Sequence, residues 1–293
     1  MDNPQEITVL SLCSGYGGLE LGLSRAIQNP LRVVAVEVEA YSLANLVAKA
    51  EEGKLAIEAM YPDLRTFPAE RFSGCFDFIL AGYPCQPFAT AGNRKGKDDP
   101  RHLWPYIRDI IETIEPLCCF FENVRGHLTL GYPDVYRGLR NLGFQVEQGI
   151  FSAAESGATH LRERLFILAS YTEHNRRVHL CMGDSRILAI RQNKTEVGCK
   201  NWDTFELVNG VVAPEKWKLT GESDPRPLFL RDVDGSASEM DRLRLLGNGV
   251  VPQQAELAFR ALYSLYDARS RLEVVETGVP QKEARKGQGA LWP

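Results

Sequence analysis

The sequence predicts a doubly wound α/β domain, a parallel sheet covered by helices on both faces, over the first 170 of its 293 residues. Three observations predict it. Apolar runs of strand length alternate with stretches of helical period. The runs are apolar throughout, as strands buried on both faces must be. A glycine-rich turn joins the first run to the first helix, where such sheets place ligands, at the carboxyl ends of their strands.

Residues 7–13 are the first strand, and 18–27 follow as a helix with Leu19, Leu23 and Ile27 at helical spacing. The order repeats as strand 32–38 and helix 40–51, strand 75–82 and helix 103–114, and strand 118–124 and helix 135–142. Strands at 144–152 and 164–170 close the block. Beyond Ser170 the pattern dissolves into short polar segments until a helix over 251–268. The expected organisation is a catalytic domain over 1–170, a small separate module over 171–230 and a segment with a helix returning to the first domain over 231–269. A charged, glycine-rich tail over 270–293 is expected to be disordered.

Composition narrows the classes. A chain that is 44% hydrophobic has enough apolar sequence for a sizeable core. It contains no run near the roughly 20 apolar residues of a membrane helix, and its acidic start lacks the features of a secretory leader, so a cytoplasmic protein without a membrane partner is expected. Seven cysteines without a C-x-x-C pair favour neither a disulfide framework nor a metal site. The net charge of −4 is mildly unfavourable for binding nucleic acid, although a local basic patch suffices.

The turn after the first strand reads Cys13, Ser14, Gly15, Tyr16, Gly17, Gly18. Missing side chains there let the backbone approach a small molecule, but a plain tight turn explains it equally well. Glu37, 20 positions after Gly17 and at the end of the second strand, is placed to accept from ribose hydroxyls. Asp63, where a third strand would end, is suited to an adenine amino group or to an ordinary solvated turn. Together they suggest an adenosine-bearing cofactor that does not require phosphates.

Cys85 lies in Gly-Tyr-Pro-Cys-Gln-Pro-Phe after the strand that starts at Cys75. Prolines on both sides keep it out of the strand and leave its thiol in a loop at the carboxyl edge, a place that suits a thiolate nucleophile. Cys118 and Cys119, inside an apolar strand, belong to the core. That strand ends in Glu122, whose carboxylate needs either a fixed ionic partner or a ligand. One loop, helix and strand separate Cys85 from Glu122, the length of a right-handed crossover, so their strands should be neighbours. Arg162 and Arg164, two apart, point to one side of an extended chain, and Glu163 points away. They suit a carboxylate or a phosphate, or serve as surface charges. Gly247, Asn248 and Gly249 precede the last helix, either as a turn or as a cofactor contact.

Taken in order, these segments resemble the DNA (cytosine-5) methyltransferase family over residues 7–170 and 241–260. The Pro-Cys-Gln and Glu-Asn-Val pair carries most of that specificity. The resemblance implies a class I S-adenosylmethionine-dependent methyltransferase fold (a Rossmann-like doubly wound sheet with a small target-recognition module), double-stranded DNA as partner and a monomer without metal. It implies Cys85 as nucleophile, Glu122 at the base, and Arg162 and Arg164 in the active site. Cofactor contacts would come from Cys13 through Gly18, Glu37, Asp63, Leu64, Pro84 and Asn248. Three positions depart from the family pattern: Cys13 replaces an aromatic residue, His160 a glutamine and Gly249 a common serine. A tRNA cytosine-5 methyltransferase, a non-catalytic DNA-binding regulator and a NAD-dependent enzyme are the competing readings. The last is disfavoured by the missing third glycine.

Overall fold

A computed structural model describes residues 6–84, 103–171 and 249–277, with side chains as far as Arg269. Its strands are β1 (Ile7–Leu12), β2 (Leu31–Val36), β3 (Ile57–Tyr61), β4 (Phe78–Ala81), β5 (Cys118–Val124), β6 (Gln145–Ser152) and β7 (Glu163–Ser170). Its helices are α1 (Gly18–Ala26), α2 (Ala40–Glu51), α3 (Trp104–Ile114), α4 (His127–Leu130), α5 (Tyr132–Asn141) and α6 (Pro252–Thr277). All seven strands form one sheet in the order β3-β2-β1-β4-β5-β7-β6. This is the class I methyltransferase arrangement. The chain works outward from β1 on one side, then returns to β4 and builds the other. The switch point between β1 and β4 is therefore the crevice in which such a sheet binds ligands.

Alternation along the strands explains why they read as unbroken apolar runs. Leu10 and Leu12 of β1 enter one core with Val34, Ile79, Ala81, Cys119 and Phe121, under Ile107 and Ile111 of α3 and Val135 and Leu139 of α5. Val9 enters the opposite core with Val33, Phe78, Leu80, Cys118 and Phe120, under Leu23 of α1, Leu46 of α2, and Phe259 and Leu262 of α6. Cys118 and Cys119 are thus buried core residues on opposite faces. Each fully buried Leu or Phe stabilises the fold by about 1.5–3 kcal/mol.

Two expectations need correction. The sheet is not wholly parallel: β7 runs antiparallel to both β5 and β6. The link over 153–162 is too short for a helical crossover and holds only a 3₁₀ turn at Ala154–Ser156, so the chain reverses instead. The final helix continues past Arg269 to Thr277, into sequence expected to be disordered. Arg, Leu and Glu in that stretch are good helix formers, and the stop signals, Gly278 and Pro280, come later.

Candidate active site

The turn after β1 is built by its neighbours. Ser14 N–H donates to the Val36 carbonyl at 3.2 Å, and Ser14 Oγ to the Ser11 carbonyl at 3.0 Å. Glu37, buried just past β2, clasps the turn from the side: its Oε2 accepts from Gly15 N at 2.7 Å, and its Oε1 from Val38 N and Glu39 N at 2.9 and 2.8 Å. Burial raises the Glu37 pKa, and those backbone donors oppose the rise. The glycines divide in purpose. Gly15, in the left-handed region at φ 56°, has nothing within 4 Å of where a Cβ would project. Gly17 makes room for Leu55 and Leu46, and Gly18 for the Val250 carbonyl.

Cys13 also adopts a left-handed backbone, at φ 53°. Its thiol pKa is pushed up by burial first and then by the negative fields of Glu37 and Asp63, which places both carboxylates about the start of the turn. Asp63 caps the 3₁₀ turn Leu64–Thr66 and is gripped by Arg65, with Oδ2 2.6 Å from Nη2, while Leu64 is buried in the core. This acidic surround and open glycine suit hydroxyls, an amino group or a cationic centre, and repel phosphate. The hydroxyls, amino group and cationic centre of S-adenosylmethionine are of that chemical kind.

At the end of β5, Glu122 is buried and its Oε1 lies 2.9 Å from Arg164 Nε. In the β5·β7 ladder Glu122 faces Phe166 and Val124 faces Arg164, so carboxylate and guanidinium are diagonal neighbours on one face. Burial lifts the Glu122 pKa to about 7, and the Arg164 and Arg162 charges hold it from rising further. Arg162 Nη2 also donates to the Gly249 carbonyl at 2.5 Å. Glu163 points away to Arg125, 2.5 Å from its Nη1. Adjacent pairing of β4 and β5, expected from the crossover, is observed. A Cβ on Gly82 would sit 3.8 Å from Glu122 Oε2 and 3.7 Å from the Cys13 carbonyl, so the ends of β1, β4 and β5 converge.

Pro84 is the last described residue before Cys85. Cys85 and Asn248 lie outside the described residues, as do residues 90–102 and 172–230. His160, by contrast, is described and stands in the link before Arg162.

Asn123 of the Glu-Asn-Val segment is joined by four supporting residues that the sequence reading did not assign to the site: Tyr83, His127, Gln254 and Glu20. Asn123 Nδ2 donates to the Tyr83 carbonyl at 3.0 Å, which ties β5 to the residue two before Cys85. Tyr83 Oη and His127 Nε2 are 3.1 Å apart, and burial lowers the His127 pKa to about 4, so the ring is neutral. Gln254 Nε2 donates to the carbonyls of Phe151 and Arg162 at 2.8 and 2.7 Å, which fixes the backbone of the arginine. Glu20 is buried beneath the turn and accepts from Ser11 Oγ at 2.6 Å. All four are polar residues inside apolar-patterned segments, the signal that could have found them.

The model of the C-5 cytosine-specific DNA methylase family matches residues 7–211. Type II methyltransferase M.NgoMIV of Neisseria gonorrhoeae is 30% identical over 174 residues, 58% of this chain and 53% of that protein. Type II methyltransferase M.AplI of Arthrospira platensis is 26% identical over 264 residues, 83% of this chain and 72% of that protein. The chain thus spans about half the length of the first relative and more of the second. Among solved structures, the S. pombe Dnmt2 methyltransferase is 22% identical with a TM-score of 0.46, covering 57% of this chain and 50% of that one, a likeness too distant to carry an argument. With the family model matching well over half of its length, the chain belongs to the C-5 cytosine-specific DNA methylase family.

Proposed function

We propose that the chain transfers a methyl group from S-adenosylmethionine to carbon 5 of a cytosine in double-stranded DNA. The observation that carries the reading is the buried Glu122, poised near neutrality between two arginines beside the strand end that leads to Cys85.

Carbon 5 of cytosine is too weak a nucleophile to react unaided. The Cys85 thiolate bonds to carbon 6 while protonated Glu122 gives its proton to N3, and the ring becomes an enamine with its electron pair at carbon 5. Bound S-adenosylmethionine supplies an electrophilic methyl group. Carbon 5 uses that electron pair to bond the methyl, whose bond to sulfur breaks. Loss of the carbon 5 proton then restores the 5,6 double bond and expels the Cys85 thiolate, and N3 returns its proton to Glu122. Arg164 orients Glu122, and Arg162 adds positive charge beside it. The base must leave the helix, because both its faces are stacked in a duplex. Residues 171–230 are the proposed reader of the DNA sequence. Their first 30 residues carry six basic side chains (Arg176, Arg177, Arg186, Arg191, Lys194, Lys200) against Glu173, Asp184 and Glu196.

The test is covalent capture. DNA with 5-fluorocytosine at the target, incubated with S-adenosylmethionine and the protein, should remain attached through denaturation, because fluorine cannot leave as a proton. Peptide mapping should place the adduct on Cys85, and Cys85→Ser should abolish methyl transfer and capture alike. An adduct on another residue, or substantial transfer by Cys85→Ser, would refute the assignment. Methylation of tRNA but not of DNA would replace the substrate.

A further inference from the structure

The departure at position 249 has a physical counterpart across the site. A Cβ built on Gly249 would lie 1.5 Å from Cε1 of Tyr16, so the tyrosine ring fills the volume that any side chain at 249 needs. The Tyr16 hydroxyl donates to the carbonyl of Val250. Lys49 Nζ donates to the Tyr16 carbonyl at 2.5 Å and lies 4.7 Å from its ring centroid, which braces the residue from α2. The Gly249 carbonyl accepts from Arg162 Nη2 at 2.5 Å. Two adjacent carbonyls are therefore gripped by different partners, one from the cofactor turn and one from the arginine beside Glu122.

We propose that Tyr16 is a positioning residue that seats the Gly249–Val250 backbone so that the Gly249 carbonyl holds Arg162, and that a tyrosine at 16 requires a glycine at 249. This rests on the methyl-transfer reading only for its activity readouts. Without the tether to Val250, the Gly249 carbonyl is free to shift, and a guanidinium follows the acceptor that fixes it. Burial raises the Tyr16 pKa, and the charges of Arg162 and Glu122 act on the hydroxyl in opposite senses.

The pair is tested by a double-mutant cycle of wild type, Gly249→Ala, Tyr16→Ala and the double variant, with Tyr16→Phe as a fifth protein. Gly249 has no left-handed backbone, so alanine probes space alone. Gly249→Ala should lower the melting temperature and reduce kcat about tenfold or more through overpacking. In the Tyr16→Ala background the same change should reduce kcat less than about twofold further and leave the melting temperature unchanged. Strictly additive losses would overturn the pairing. Tyr16→Phe keeps the ring and removes one hydrogen bond, so kcat should fall about fivefold while KM for S-adenosylmethionine changes less than about twofold. An unchanged kcat, or a loss confined to KM, would overturn the positioning of Arg162. If wild type does not methylate DNA, the functional reading fails on its own, and the melting temperatures still decide the Tyr16–Gly249 pairing.

Discussion

Glu122 titrates where an acid that must give up a proton at neutral pH should. Its protonated form is the donor, so kcat/KM should fall about tenfold per unit well above pH 7 as the carboxyl ionises. Glu122→Gln should lose about 10²- to 10⁴-fold of the rate and the alkaline fall with it. Arg164→Met should move the fall to higher pH, because the nearest charge holding the pKa down is gone. A Glu122→Gln protein that keeps the fall would place the titration on another group. At this scale the sequence was legible where a residue type was out of place, as with the carboxylate that closes the apolar strand β5. It was less legible in the glycine turn. Gly17 and Gly18 are small because Leu55 and Val250 occupy their space, and only a three-dimensional neighbour distinguishes that from space left for a ligand.

The inversion of β7 decides whether the arginines reach the acid. In the parallel sheet that the apolar runs suggested, the start of β7 would lie beside the start of β5, about 13 Å from Glu122 at the usual strand rise. Running antiparallel, β7 brings Arg164 alongside Val124. The information was present in the length of the 153–162 link, which leaves no room for a helix, and the apolar pattern alone does not carry strand direction. Gln254 holds that reversal, bonding the end of β6 and the approach to β7 with a single amide. Gln254→Leu would remove this donor from both carbonyls, of which that of Arg162 keeps the Ala153 N–H, and should destabilise the fold by about 1–2 kcal/mol, read as a lower denaturant midpoint. It should also reduce kcat through Arg162. A variant with full stability and activity would show that the bonds are incidental.

At the scale of the molecule, the site draws on segments far apart in sequence: the turn after β1, the ends of β2 to β5, the start of β7 and the approach to α6. A module over 171–230 would be connected to this centre between β7 and α6. Exchanging those residues for the equivalent segment of a related enzyme should change the methylated sequence while Cys85 chemistry continues, as read by mapping methylated cytosines. A folded, active chimera that still methylates the original site would move specificity to the catalytic domain, most simply to the loop over 90–102. The placement of α6 has a separate consequence. It descends from the carboxyl edge of the sheet, where Val250 abuts Gly18, to the amino edge, where Tyr266 Oη donates to the Tyr171 carbonyl at 2.9 Å. It lies against α1 closely enough that a Cβ on Gly22 would be 2.4 Å from that of Ala255. Since β1 starts from the amino edge at which α6 arrives, packing is indifferent to which of the two is translated first. A circular permutation that moves α6 ahead of β1 should therefore keep the α1–α6 contact and both cores, read as a retained melting temperature.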